Sequence, residues 1–208
     1  MRIAVVGAAG MAGSRIITEA LRRGHGVTAV FRGARPQSLP ADVTAVRGDA
    51  TDVDRMTGLF SAADAVVGAT RPAPGSESTV TTTTRALLDA AAAAGSRALF
   101  IGGSGPLHSP SGGLVLDDPR YVPPAWRAIA ASSVAQLDVC RAHTADWSYL
   151  SPPALLEPGT RTGTYRRGTT TLLVAADGSS RISAEDLATA AVDELENPGG
   201  ERHFTVAY

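Results

Sequence analysis

The chain has no lysine; all 19 of its basic residues are arginine. That excludes Schiff-base chemistry, a phosphate-loop lysine, and the Tyr-x-x-x-Lys pair with which many dehydrogenases protonate a carbonyl oxygen. An Ala- and Arg-rich composition also suits a bacterial genome of high GC content, but the chemical exclusion holds whatever its cause. Cysteine is almost absent too. Cys140 stands alone, which excludes an internal disulfide and a thiolate metal cluster, and its helical surroundings read as core. No metal site is expected. No apolar run approaches the length of a membrane span, and the chain enters its first strand without a charged leader and cleavage site, so a cytoplasmic address is expected. The formal net charge is −1, with arginines scattered among acids. Without a basic block, nucleic acid and anionic membrane have nothing to hold.

What is present is an alternation of two patterns over 208 residues, 44% of them hydrophobic, enough for one full core and a single domain spanning 1–208. Apolar runs at 2–6, 27–31, 43–47, 64–68, 97–101 and 147–150 read as strands buried on both faces. Helical stretches lie between them at 11–23, 53–60, 77–94 and 125–144. Repeated strand–helix crossovers predict an α/β fold, a doubly wound parallel sheet of Rossmann type. After residue 150, Pro152, Pro153 and Pro158 interrupt the pattern, and Thr164–Arg166 and Thr169–Val174 read as short strands of a small C-terminal excursion. Ser183-Ala184-Glu185-Asp186 then opens a helix running to about Glu196, and His203–Ala207 reads as a last strand.

The glycines of Gly7-Ala8-Ala9-Gly10-Met11-Ala12-Gly13 sit between the first strand and the first helix. In that context Gly7 suits a tight turn, Gly10 lets backbone approach a pyrophosphate, and Gly13 lets the helix pack closely, its free N–H groups facing the anion. A dinucleotide is the expected ligand. With strand order 3-2-1-4-5-6, its crevice lies where the order reverses, between strands 1 and 4. After strand 2 stands Arg32, with Arg35 nearby, where an acid would bind the ribose of NAD. A guanidinium favours a 2′-phosphate, so NADP(H) is expected over NAD(H). Asp49, after strand 3, can accept from the adenine amino group or cap the next helix.

Together these residues resemble the atypical short-chain dehydrogenases that bind NAD(P)H, a group including flavin reductase-like and biliverdin reductase B-like proteins and related cofactor sensors. The resemblance covers nearly the whole chain. It rests on Gly7, Gly10 and Gly13, Arg32, Gly48-Asp49, Ala69-Thr70-Arg71, Val122-Pro123-Pro124, Tyr149 to Pro153, and Thr162-Gly163-Thr164-Tyr165. It implies that the backbone from Ala9 through Gly10 and Met11 to Ala12 holds the pyrophosphate, Arg32 the 2′-phosphate, and Asp49 with Ala50 the adenine. It also implies that Ala69, Thr70 and Arg71 flank the dinucleotide, that Gly103 and Ser104 lie near the nicotinamide, and that Pro153, Leu155 and Tyr165 form the opposite wall. Two departures argue against a bilin substrate: Ala154 replaces a histidine after the paired prolines, and Gly105-Pro106-Leu107-His108 replaces a longer apolar loop.

The chemistry must come from what remains. Hydride transfer to a flavin, such as FMN as substrate, or to a quinone needs mainly ring stacking, since the protons can come from water. A small aromatic acceptor is therefore expected, with Ser104 as the catalytic hydrogen-bond donor. His108 is a second possible donor, although a histidine in such a Gly/Pro/Ser loop usually faces solvent. The connection 105–125 is long enough to be a lid, and residues 151–208 would supply substrate-side elements. Tyr121 and Trp126 can line an aromatic pocket or pack in the core; Trp147 reads as structural. The rival reading is a non-enzymatic sensor of NADP(H) that reports to a protein partner. A sugar-nucleotide epimerase or dehydratase conflicts with the missing lysine and the short C-terminal part.

Overall fold

Strands β1 (Arg2–Val6), β2 (Gly26–Phe31), β3 (Thr44–Arg47), β4 (Ala65–Gly68), β5 (Arg97–Ile101) and β6 (Trp147–Ser151) form the parallel sheet that the apolar runs predict. The computed structural model describes residues 1–37 and 39–208. The order is β3-β2-β1-β4-β5-β6, extended at one end by β10 (His203–Ala207), parallel to β6, and then by β8 (Arg166–Gly168), antiparallel to β10. Rossmann-type winding is therefore present, with its reversal between β1 and β4.

The central strands β1, β4, β5 and β6 are buried along almost their whole length because each faces two layers. Ile3 and Val5 of β1 point into one core with Ile16 and Ile17 of α1 (Met11–Arg22) and Leu187 and Val192 of α5 (Ala184–Glu196). Ala4 and Val6 point the other way. There they join Met56 and Phe60 of α2 (Val53–Phe60), Leu87 and Leu88 of α3 (Thr79–Ala94), and Leu137 of α4 (Arg127–Arg141). In α1 the buried Gly13, Ile16, Ile17 and Ala20 recur at three- and four-residue spacing, the signature of a single inward stripe. The helix ends with Arg22 in its last turn and Gly24 beyond it at φ +80°, a conformation that costs glycine little. Ser183 caps α5 as its sequence predicts, accepting from the Asp186 N–H at 3.0 Å.

The C-terminal excursion departs from expectation. Only part of it is β: β8 begins at Arg166, and Thr171 makes an isolated bridge to His108 in place of a strand over 169–174. A separate two-stranded sheet, β7 (Leu155–Glu157) with β9 (Arg181–Ser183), was not expected. Segments of three residues carry no readable alternation, and their partners lie far apart in sequence. The 105–125 connection is packed on itself. Leu107, Val115, Val122 and Leu172 form a small core of their own. Beside it the Asp118 carboxylate accepts from Arg120, Ser109 and Ser111, which hold it well below the usual carboxylate range.

Candidate active site

The glycine turn is built from contacts that a side chain would block. The Ala69 N–H donates to the Val6 carbonyl at 2.8 Å, which brings the end of β4 against the turn. Gly7 has φ +94°, and a Cβ there would lie 2.4 Å from the Ala69 carbonyl oxygen. A Cβ on Gly13 would lie 2.3 Å from the Gly7 carbonyl oxygen, so the first turn of α1 sits directly on the loop. Gly10 differs. Its missing Cβ would meet the Gly7 carbonyl oxygen at a tight but tolerable 3.2 Å, so its openness faces outward more than inward. The N–H groups of Ala9, Met11, Ala12 and Gly13 have no acceptor among the described residues, and neither a side-chain cap nor a first-turn acid competes for them. Unpaired amides on a positive helix end are a ready anion site.

At the carboxyl ends of β2 and β3, Arg32, Arg47, Gly48, Asp49 and Arg55 line one cleft. Arg32 and Asp49 were anticipated; Arg47 and Arg55 were not. Asp49 Oδ1 accepts from the Thr51 N–H at 2.9 Å and its hydroxyl at 2.8 Å. These two bonds, and then the charge of Arg32, keep the carboxyl ionised below its ordinary range. The cap of α2 comes from Asp52, which accepts from the Arg55 N–H at 3.1 Å. Ala50, partly buried, packs against the core cluster that contains Met56 and Phe60.

On the acceptor side, glycines again mark close approaches. A Cβ on Gly102 would lie 2.0 Å from the Tyr149 ring, one on Gly103 3.0 Å from Ser133, and one on Gly105 2.4 Å from the Ala130 carbonyl oxygen. The first turns of α4 therefore rest on the loop that carries Ser104. The Ser104 carbonyl accepts the Leu107 N–H at 3.0 Å, while its hydroxyl has no partner among the described residues. Thr70 and Arg71 leave the end of β4 beside Gly7, and the Arg71 guanidinium lies over the Trp126 ring, 5.7 Å from its centre. Trp126 is 56% exposed on a 3-10 turn at Pro124–Trp126, so it is not a core residue. Pro153 is buried just past β6, and Leu155 is 48% exposed.

Three aromatic or imidazole groups take other places. Tyr165 does not join the acceptor wall: its hydroxyl donates to Asp193, which also binds Arg23 at the far end of α1. Tyr121 packs against the small core of the 105–125 connection. His108 is exposed, and its backbone bonds the connection to Thr170 and Leu172. A residue that sequence alone did not single out is His203, buried at the start of β10 with Nε2 2.9 Å from the Ser151 hydroxyl. Burial, then the charges of Arg141 and His108, push its pKa down to about 4, so it is neutral at neutral pH. Burial raises the Cys140 thiol to about 12, which leaves it inert.

Comparison with known proteins agrees with this geometry. A Burkholderia pseudomallei protein provisionally named an exported protein is 38% identical over the full length of both chains, with a TM-score of 0.85. A Bacteroides thetaiotaomicron protein provisionally named an epimerase is 32% identical, covering 100% of this chain and 96% of the other, with a TM-score of 0.89. A Streptococcus pneumoniae protein provisionally named an NADH-flavin reductase is 27% identical, covering 100% and 99%, with a TM-score of 0.87. Among the described residues no helix is long and apolar enough to cross a membrane. A family model described as NAD(P)H-binding matches residues 7–198, so this chain, with its glycine turn and its strand-order reversal between β1 and β4, belongs to that NAD(P)H-binding family.

Proposed function

We propose that the protein is an oxidoreductase that uses NADPH to reduce a flavin, quinone or similar flat acceptor, acting in the cytoplasm as one cofactor-binding domain. The observation that carries this reading is the set of unpaired amides of Ala9, Met11, Ala12 and Gly13 beside the strand-order reversal at β1 and β4, in a chain of this family. When bound, the reduced nicotinamide supplies a hydride to the acceptor ring. The residues of the chain bind and orient. Backbone at Ala9, Gly10, Met11 and Ala12 holds the pyrophosphate, Ala69, Thr70 and Pro153 border the crevice, and Asp49 with Ala50 faces the adenine. Arg32 favours the 2′-phosphate. Gly103 lies beside the nicotinamide, and the hydroxyl of Ser104, without a partner among the described residues, donates to the carboxamide or to the acceptor. Trp126 with Arg71 offers an exposed flat surface near that point.

Proton supply sets the acceptor class. The chain has no lysine, and His203 is buried and held neutral, so a flavin or quinone taking a hydride and then a proton from water suits the site better than a simple ketone. The same absence argues against the tyrosine–lysine chemistry of epimerases. Exposed Trp126 also favours a second reading, a sensor whose partner protein covers that surface. Following NADPH absorbance with FMN, a quinone, a ketone and a bilin separates the two. Oxidation with FMN or the quinone, and little with the others, supports the reductase. Tight NADPH binding with no turnover on any acceptor overturns it in favour of the sensor.

A further inference from the structure

We infer that Arg47 and Arg55 join Arg32 in a three-guanidinium clamp for the 2′-phosphate of NADP(H). The inference rests on the dinucleotide reading above and adds two specificity-determining residues from elements that sequence did not connect. The sheet brings them together. Phe31 of β2 pairs with Arg47 of β3, and the Gly48 N–H donates to the Phe31 carbonyl at 3.0 Å, so the residues following both strands lie side by side. Arg47 Nε donates to the Arg32 carbonyl at 3.2 Å, and Arg55 Nη2 to the Arg47 carbonyl at 2.8 Å. Each guanidinium is thus aimed by one bond to a neutral oxygen. Its charge is left uncompensated. Gly48 makes the room: a Cβ there would lie 2.9 Å from Met56 Cε and 3.5 Å from Arg55 Nε.

Charge separates this group from most other arginines. Among the described residues none of Arg32, Arg47 and Arg55 makes an ion pair, whereas Arg15, Arg22, Arg23, Arg97, Arg120, Arg127, Arg161 and Arg167 all do. Within the cleft, the three cations face one carboxylate, Asp49, already engaged by Thr51. The surplus matches a phosphate monoester, which carries close to two negative charges at neutral pH. Forked N–H donors suit its oxygens. NADH and 5′-AMP lack that group and gain nothing from it.

The test titrates NADPH, NADH, 2′,5′-ADP and 5′-AMP into the wild-type protein, Arg47→Ala and Arg55→Ala. Both side chains are exposed, so unchanged melting is expected to verify folding. Each variant should weaken NADPH and 2′,5′-ADP roughly tenfold while NADH and 5′-AMP change less than about twofold. Wild-type NADPH binding should also fall more steeply with salt than NADH binding, and the variants should flatten that difference. Equal losses for the phosphorylated and unphosphorylated nucleotides, or unchanged NADPH affinity, would overturn the clamp while leaving dinucleotide binding intact. A wild-type protein that binds neither NADPH nor NADH would overturn the dinucleotide reading and the clamp with it.

Discussion

Two groups of arginines, at opposite ends of α1, use the same side chain for different ends. Along the α1–α5 contact, Arg22, Arg23 and Arg161 converge on Glu19, and Arg23 reaches on to Asp193 and Glu196 at 2.7 and 2.6 Å. At the carboxyl ends of β2 and β3, Arg32, Arg47 and Arg55 make no ion pair among the described residues: Arg47 and Arg55 donate to carbonyls, and the three share a cleft with one carboxylate, Asp49. The first group is saturated and joins α1, α5 and the 158–165 segment. The second is left with charge to spare. In a chain without lysine, the side chain itself does not distinguish a structural cation from a ligand-binding one; its partners do.

The largest effect should come from breaking the saturated group. Glu19→Gln removes the buried carboxylate, 4% exposed, on which Arg22, Arg23 and Arg161 converge; Arg23 keeps Asp193 and Glu196, yet about 3 kcal/mol of stability should be lost, read as a fall in Tm with nucleotide affinity unchanged. The pH dependence follows the same carboxyl. Burial raises its pKa, but hydrogen bonds from Arg22, Arg161 and Arg23 outweigh burial and hold it well below the usual 4.5. A lowered folded pKa stabilises fully above the unfolded value, so the wild-type protein should lose stability as pH falls below 4.5, and Glu19→Gln should lose less over that range. An acid profile identical in both proteins would count against the assignment.

The remaining predictions concern the open group and the crevice. Gly10→Val keeps an allowed backbone, φ −76° and ψ 166°, but puts branched carbon beside the free amides. NADPH affinity should fall by roughly 3 kcal/mol, more than a hundredfold, with melting little changed; normal titration would refute the pyrophosphate site. Arg32→Ala should weaken NADPH by about 2 kcal/mol and leave NADH nearly untouched, and equal losses would remove Arg32 from cofactor choice. Ser104→Ala should slow turnover about tenfold, near 1.4 kcal/mol, on a rate almost flat between about pH 6 and 8. A steep profile abolished by His108→Ala would instead identify an acid catalyst.

Much of this was legible before the fold was known, for local reasons. The β1 run, its glycine turn and α1 are contiguous, and each tolerates few alternatives. Continuous apolarity marked the strands of the central sheet because both faces are covered. The excursion was less legible. Whether Tyr165 faced the acceptor or the far end of α1 depends on which way a proline-broken segment runs, and no residue in it encodes that direction. Trp126 looked equally suited to core or pocket because it precedes an apolar helix; it is exposed because the chain turns in a 3-10 step before α4 begins.

By itself, the sequence determined the alternation of strands and helices, the glycine turn between β1 and α1, and the absence of lysine chemistry. These depend on backbone freedom at Gly7 and the missing side chain of Gly13, on hydrophobic periodicity, and on composition, all properties of neighbouring residues. Only the tertiary structure decided which arginines are neutralised. Arg47 and Arg55 lie eight residues apart, on a strand and a helix, and reach Arg32 through the pairing of β2 with β3; Glu19 and Arg161 meet across 142 residues. Coulomb attraction falls off over a few ångströms in water, so an arginine's partners are set by where the packed elements place it and not by the residues beside it in the chain.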